Sequence, residues 1–245
     1  MIRTLTRRLG TALIVMGLVL VVYAALVVFW RDPVTGAYTA YEQHEMRGSL
    51  DRSFREWQSS HPGLGGAAAA TPSAPPAAAD TAALRARART LALAFAAANR
   101  GRIGRPIARI RIARIGLSTI TVEGTDYWRS LSKGPGRYGE GDYPGMGRTT
   151  GIAGHRTTFE APFRHIDEIR DGDPITLELP YGTFTYRVLR HRIVDNGDWS
   201  IMRRVGFDEL VLSACHPIYS AAQRYVVFAR LASIELAGAR PVAVT

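Results

Sequence analysis

The chain is poor in residues that staple a fold: among 245 residues there is one cysteine, Cys215. A single thiol excludes an intramolecular disulfide framework and a cysteine-based metal cluster. Lysine is nearly missing too, because of 31 basic residues only Lys133 is not arginine. Together with the alanine runs, this reads as a bias toward Arg and Ala rather than as a surface built for a polyanion. Acidic residues number 21 and leave a net charge of +10, but the excess is not concentrated in one region. Residues 1–100 carry 11 basic and 6 acidic side chains, and residues 101–245 carry 20 and 15. A charged fraction of 21% and a mean hydropathy near zero exclude both a wholly disordered chain and a multi-span membrane protein. No internal repeat is visible. The length suits one moderate domain with appendages, or two small domains.

What is present begins with an apolar run. Residues 9–30 are 22 consecutive residues without a charge. As a helix they span about 33 Å, enough for a hydrocarbon core of about 30 Å. Arg3, Arg7 and Arg8 precede the run, whereas Arg31 and Asp32 behind it cancel. The positive-inside bias places the N-terminus in the cytoplasm and everything after Trp30 outside the cell. A cleaved signal peptide is the alternative. It would have a shorter apolar stretch ending at a small-x-small site, and here Leu26 to Trp30 carry on past Ala24 and Ala25. The expected organisation is a cytoplasmic tail and membrane anchor over 1–31, then a juxtamembrane stalk over 32–60. In the stalk Tyr38, Tyr41, Met46, Leu50, Phe54 and Trp57 recur at amphipathic-helix spacing, suited to a membrane surface or a partner. Residues 61–80, HPGLGGAAAATPSAPPAAAD, contain four prolines and no periodicity, and read as a linker. Residues 81–100 read as a helix capped by Asp80 or Thr81, its Arg85, Arg87 and Arg89 facing solvent or an anionic surface.

After Gly101 the pattern changes to short strands. The runs IARIRIARIGL, with Ile107, Ile110, Ile112 and Ile115, and TITVE at 119–123 are rich in β-branched residues. Residues 174–179 and 183–189 flank Pro180-Tyr181-Gly182 and predict a hairpin. Residues 151–154, 209–215 and 224–235 add further strand candidates. Helical spacing is confined to 162–170, where Phe163, Ile166 and Ile169 recur. Six to eight short strands with little helix between them predict a mainly β fold, a barrel or sandwich, over 101–238, with 239–245 as a tail.

A lone cysteine is most often an inert buried thiol. Cys215, however, closes the apolar run Leu210-Val211-Leu212 and is followed by His216-Pro217, so it sits where a strand opens into a loop. A nucleophilic thiol needs a proton acceptor or a cationic neighbour. His216 adjoins it, and successive strand side chains point to opposite faces. His155, in GIAGHRTT at the exit of another short apolar run, is the better candidate. His44 and His61 lie in the stalk and at its end, and His165 and His191 in ordinary helical or strand contexts. Arg224, nine residues after Cys215, begins the next strand and would lie beside the cysteine if the two strands pair antiparallel.

At these residues the chain resembles the sortases, most of all the class E sortases of actinobacteria. The resemblance covers about residues 101–236 and rests on four blocks in family order: RIARIGL, LSKGPGRY, GIAGHRTTFEAPF and LVLSACHPIYSAAQRYVVFARL. It implies a sortase-type closed β-barrel of about eight strands with short helices. It also implies a transpeptidase in which Cys215 is the nucleophile, His155 the acid–base and Arg224 the oxyanion donor. The substrate would be a C-terminal sorting signal of LAxTG or LPxTG type, cleaved at Thr-Gly, and the acceptor a cell-wall amine. The implied partners are surface proteins bearing such signals, the cell-wall precursor and the membrane. No nucleic acid and no cofactor or metal is implied. Tyr138 stands where a tyrosine is linked with the LAxTG preference. The family usually has Thr-Leu-x-Thr-Cys before the nucleophile, whereas this chain has Val211-Leu212-Ser213-Ala214-Cys215. Ser213 and Ala214 are thus substrate-binding candidates at which the hydroxyl pattern departs from the family. A non-catalytic, sortase-like extracellular binding module is the alternative. An L,D-transpeptidase expects Ser-His-Gly-Cys, and a papain-like peptidase the opposite order of cysteine and histidine.

Overall fold

The computed structural model describes residues 2–29, 32–61, 78–237 and 242–244. Three helices come first: α1 (Ile2–Phe29), α2 (Pro33–Ser60) and α3 (Ala78–Asn99). The strands β1 (Pro106–Ile112), β2 (Leu117–Glu123), β3 (Gly136–Arg137), β4 (Thr149–Ala153), β5 (Pro174–Leu179), β6 (Gly182–Asp195), β7 (Glu209–His216), β8 (Gln223–Leu236) and β9 (Val242–Ala243) follow. Their order is β6-β5-β1-β2-β3-β4-β7-β8-β9, and a second pairing of β6 with β8 closes the first eight into a barrel. The β2–β3 and β4–β7 pairs are parallel and the others antiparallel. The barrel interior is filled by the inward residues of alternating strands, among them Ile110, Ile112, Phe184, Leu210, Leu212 and Val227.

The expected hairpin forms between β5 and β6, with β6 running six residues further than its apolar alternation indicated. The helix expected over 162–170 does not form; only Ile166–Glu168 makes a 3-10 turn. Phe163, Ile166 and Ile169 are all buried, so their regular spacing reflects a loop that repeatedly dips into the core. In the expected tail, β9 pairs with β8. Helix α3 starts at Ala78, inside the expected linker. Of that linker, residues 62–77 lie outside the described residues.

Helix α1 contains the one span among the described residues that is long and apolar enough to cross a membrane, Thr6–Val27. None of it is buried, which fits a membrane anchor or a signal sequence. Asp32 caps the next helix, accepting from the backbone of Val34 and Thr35, and Pro33 occupies the first turn. Helix α2 lies on the barrel through Thr39, Gln43, Met46 and Leu50, at helical spacing. Met46 and Leu50 pack with Ile120 and Val122 of β2. Gln43 completes the edge that β3 is too short to cover. Its Oε1 accepts from the Ile120 N–H at 2.8 Å, and its Nε2 donates to the Ile120 carbonyl at 3.0 Å and that of Lys133 at 2.7 Å. A strand edge left open is costly, so this amide does the work of a missing strand. Replacing Gln43 by Leu should therefore lower unfolding stability by about 2–3 kcal/mol, read by thermal or denaturant melts, whereas the exposed neighbour Glu45→Ala should be near neutral.

Candidate active site

Strand β7 lies between β4, parallel to it, and β8, antiparallel to it. The β7–β8 register sets Cys215 directly opposite Arg224. Arg224 Nη1 donates to Cys215 Sγ at 3.4 Å, and the same nitrogen is held by the carbonyls of Gln223 at 3.1 Å and Ala221 at 3.3 Å. On the other side, β4 places Ala153 beside Ser213, and the Gly154 N–H donates to the Ser213 carbonyl at 3.0 Å. His155 therefore leaves β4 at the level of Cys215. Gly154 is required here, because a Cβ on it would meet the Phe163 ring at 2.6 Å.

His155, Cys215, Arg224, Tyr138, Ser213 and Ala214 all line one open cavity of about 500 Å³. Alternation along β7 turns Ser213 and Cys215 to one face, while Ala214 packs in the barrel core. The Ser213 hydroxyl shares a 2.8 Å hydrogen bond with that of Tyr138, whose ring meets Trp199 edge-on at 5.7 Å. The 3-10 turn carrying Trp199 closes the far wall. His216 is not among the lining residues.

Within this cavity His155 is the most perturbed group. Its ring lies against Tyr127 (5.5 Å) and Phe159 (5.0 Å), and its buried Nε2 has no hydrogen-bond partner among the described residues. Burial pulls its pKa down from 6.5 to about 4. The ring is therefore neutral at pH 7, poised to accept a proton rather than already holding one.

The sortase domain, as a family, matches residues 110–232, half of the chain. The chain belongs to the sortase family. Sortase D of Bacillus subtilis is 35% identical over 125 residues, which cover 49% of this chain and 61% of that protein. Thus under two thirds of the relative's length is represented. Sortase E of Streptomyces avermitilis is a similar solved structure, with TM-score 0.50, 27% identity, and coverage of 58% of this chain and 99% of that one. Sortase E1 of Streptomyces coelicolor, solved with a tripeptide in its active site, superposes with TM-score 0.52 at 23% identity, over 54% and 91% of the two chains. The class E likeness read from the sequence is thus met among solved structures, beside a sortase D relative. The sortase fold is present with its closed eight-stranded barrel.

Two buried arginines that the sequence did not single out support the site. Arg156, next to His155, pairs with Asp167 at 2.5 Å and donates to the Arg164 carbonyl at 3.2 Å. Its Nη1 also reaches His216 Nδ1 at 3.3 Å and the Cys215 carbonyl at 3.5 Å. One side chain thus clamps the histidine loop to the end of β7. Arg137 pairs with Glu123 and donates to the Tyr138 carbonyl at 2.8 Å, while the Tyr143 hydroxyl donates to Glu123 at 2.6 Å. Burial raises the Tyr143 pKa, so it remains a donor. The composition hid both arginines among thirty; a basic residue next to a strand-end histidine was the available signal for Arg156.

Because the folded His155 pKa lies below the unfolded value near 6.5, the unfolded chain binds the proton more readily between pH 6.5 and 4. This residue's contribution to stability is full above about pH 6.5 and is lost as pH falls toward 4. Melting-temperature profiles should show the parent protein losing more stability between pH 7.5 and 4.5 than His155→Gln; parallel profiles would contradict the burial argument.

Proposed function

We propose that this protein is a membrane-anchored cysteine transpeptidase that cleaves a C-terminal sorting signal at a Thr-Gly bond and passes the acyl group to a cell-wall amine. The observation that carries this reading is the cross-strand pair of Cys215 and Arg224 in the same cavity as a neutral, desolvated His155.

Chemically, the Cys215 sulfur attacks the threonine carbonyl as its proton passes to neutral His155. Negative charge grows on the carbonyl oxygen, where the remaining N–H groups of Arg224 donate to it; backbone carbonyls already hold Nη1 in place. The intermediate collapses, the C–N bond breaks, and imidazolium returns the proton to the departing glycine amine. A second amine then attacks the thioester carbonyl and gives its proton to His155, which returns it to sulfur as the thiol leaves. Tyr138 and Ser213, joined by their hydrogen bond, would form the wall against the signal's side chains, with the LAxTG type favoured over LPxTG by the class resemblance. The apolar helix α1 serves as the anchor, N-terminus in the cytoplasm and barrel outside. Substrates on the outer membrane face are thereby held at high effective concentration.

Three substitutions test the roles, with release of a reporter from a sorting-signal peptide as the readout. Cys215→Ala should reduce cleavage to background. Arg224→Ala should lower kcat by about 10²–10³, the cost of one oxyanion donor. His155→Ala should be far more damaging than His216→Ala, and the reverse order would assign the proton transfer to the wrong histidine. Cleavage that survives Cys215→Ala would show that Cys215 is not the nucleophile, whereas a parent protein that binds the peptide without cleaving it would favour the non-catalytic binding module.

A further inference from the structure

Tyr127 lines the cavity, and the turn that it opens carries a second aromatic side chain, Trp128, outside the cavity and unused by the chemistry above. Residues Tyr127–Leu131 form a single π-helical turn whose first two rings point outward, Tyr127 48% exposed and Trp128 69%. They meet edge-on at 4.9 Å. Arg129 beside them is exposed as well. An exposed indole of this kind at the rim of a site is an unpartnered apolar surface, and its position in the molecule says what it faces.

That position is set by α2. The Phe159 N–H donates to Thr35 Oγ1 at 2.9 Å, and the Thr39 hydroxyl donates to the Ser132 carbonyl at 2.7 Å. Ser132 in turn donates to the Trp128 carbonyl at 2.6 Å, and the Phe159 ring meets those of Tyr127 (5.5 Å) and Trp128 (6.1 Å). The loop held this way is a strained one. Phe159, Glu160 and Ala161 are three successive non-glycine residues with positive φ, at 52°, 61° and 46°. A side chain in this left-handed region crowds its own backbone, so the loop depends on its attachments.

Thr35 stands only three residues after Asp32, about 4.5 Å along a helix. The headgroup layer on each face of a bilayer is about 5–8 Å thick. If α1 crosses the membrane, the first turn of α2 begins at its outer face, and the loop and π-helical turn fastened to it come to the same level. Val34 and Tyr38, on that part of α2, are also exposed apolar side chains, at 65% and 42%. Tryptophan and tyrosine favour this interfacial depth, and arginine favours anionic headgroups.

We infer that Trp128, with Tyr127, Arg129, Val34 and Tyr38, is a bilayer-docking surface that holds the mouth of the Cys215 cavity against the outer headgroup layer. This rests on the reading of α1 as an uncleaved anchor. A substrate emerging from the membrane would then meet the cavity without leaving the interface, and a soluble peptide would gain nothing from the surface.

The test uses the full chain reconstituted in phosphatidylcholine–phosphatidylglycerol vesicles, with and without bromine atoms high on the acyl chains. Comparing the parent protein with Trp128→Phe and with Trp30→Phe isolates the emission of each indole. Brominated lipid should quench both components. In parallel, Trp128→Ser should slow cleavage of a bilayer-tethered signal several-fold while leaving cleavage of the same peptide in solution unchanged. Quenching of the Trp30 component alone would overturn the docking surface and leave the anchor standing. Quenching of neither would overturn the anchor and the surface with it.

Discussion

The site depends on one strand held from both sides. β7 pairs in parallel with β4 and antiparallel with β8, and a one-residue slip would exchange Leu210, Leu212 and Ala214 in the barrel core with Val211 and Ser213 on the other buried face. Given those registers, Cys215 must lie opposite Arg224, and the chain leaving β4 must deliver His155 to the level of the cysteine. Cys215 and Arg224 are thus placed by strand pairing, and His155 by the short loop leaving β4 that Arg156 fastens to the end of β7.

Around this frame the molecule uses buried charge where apolar packing would not specify a position. Arg156 gathers the histidine loop, the His216 ring and the Cys215 carbonyl around one guanidinium. The Arg137–Glu123–Tyr143 group does the same for the backbone at Tyr138. Such groups pay for their burial only when each polar atom is satisfied, and these are tied to backbone carbonyls as well as to carboxylates. His155 is the contrasting case: apolar rings surround it, its Nε2 lacks a partner among the described residues, and desolvation keeps it neutral. The guanidiniums of Arg156 and Arg137 are held on several sides, while the His155 Nε2 is left unsatisfied.

Cys215, His155 and Arg224 were legible in the sequence because each lies at a strand end. There, apolar runs and a proline mark the boundary, and nine residues suffice for a tight return. Family resemblance then joined blocks that periodicity alone could not. The barrel class was legible for the same reason. What could not be read were contacts across long sequence separations, such as Gln43 on β2 or Thr35 on the Phe159 loop, where a single side chain substitutes for a strand or a cap. The spacing of Phe163, Ile166 and Ile169 misled because a loop folded over a barrel end can bury every third residue without being a helix. β9 is only two residues long, too short for any alternation to show.

If Cys215 is the nucleophile, it becomes acylated during turnover. Intact-mass spectrometry of the full chain, quenched with acid during reaction with a sorting-signal peptide and no acceptor amine, tests it directly. The expected result is a mass gain equal to the peptide up to its threonine, less one water, located on Cys215, absent in Cys215→Ala and removed by hydroxylamine. Peptide cleaved at Thr-Gly with no adduct on Cys215 at any time point, and cleavage retained in Cys215→Ala, would contradict it.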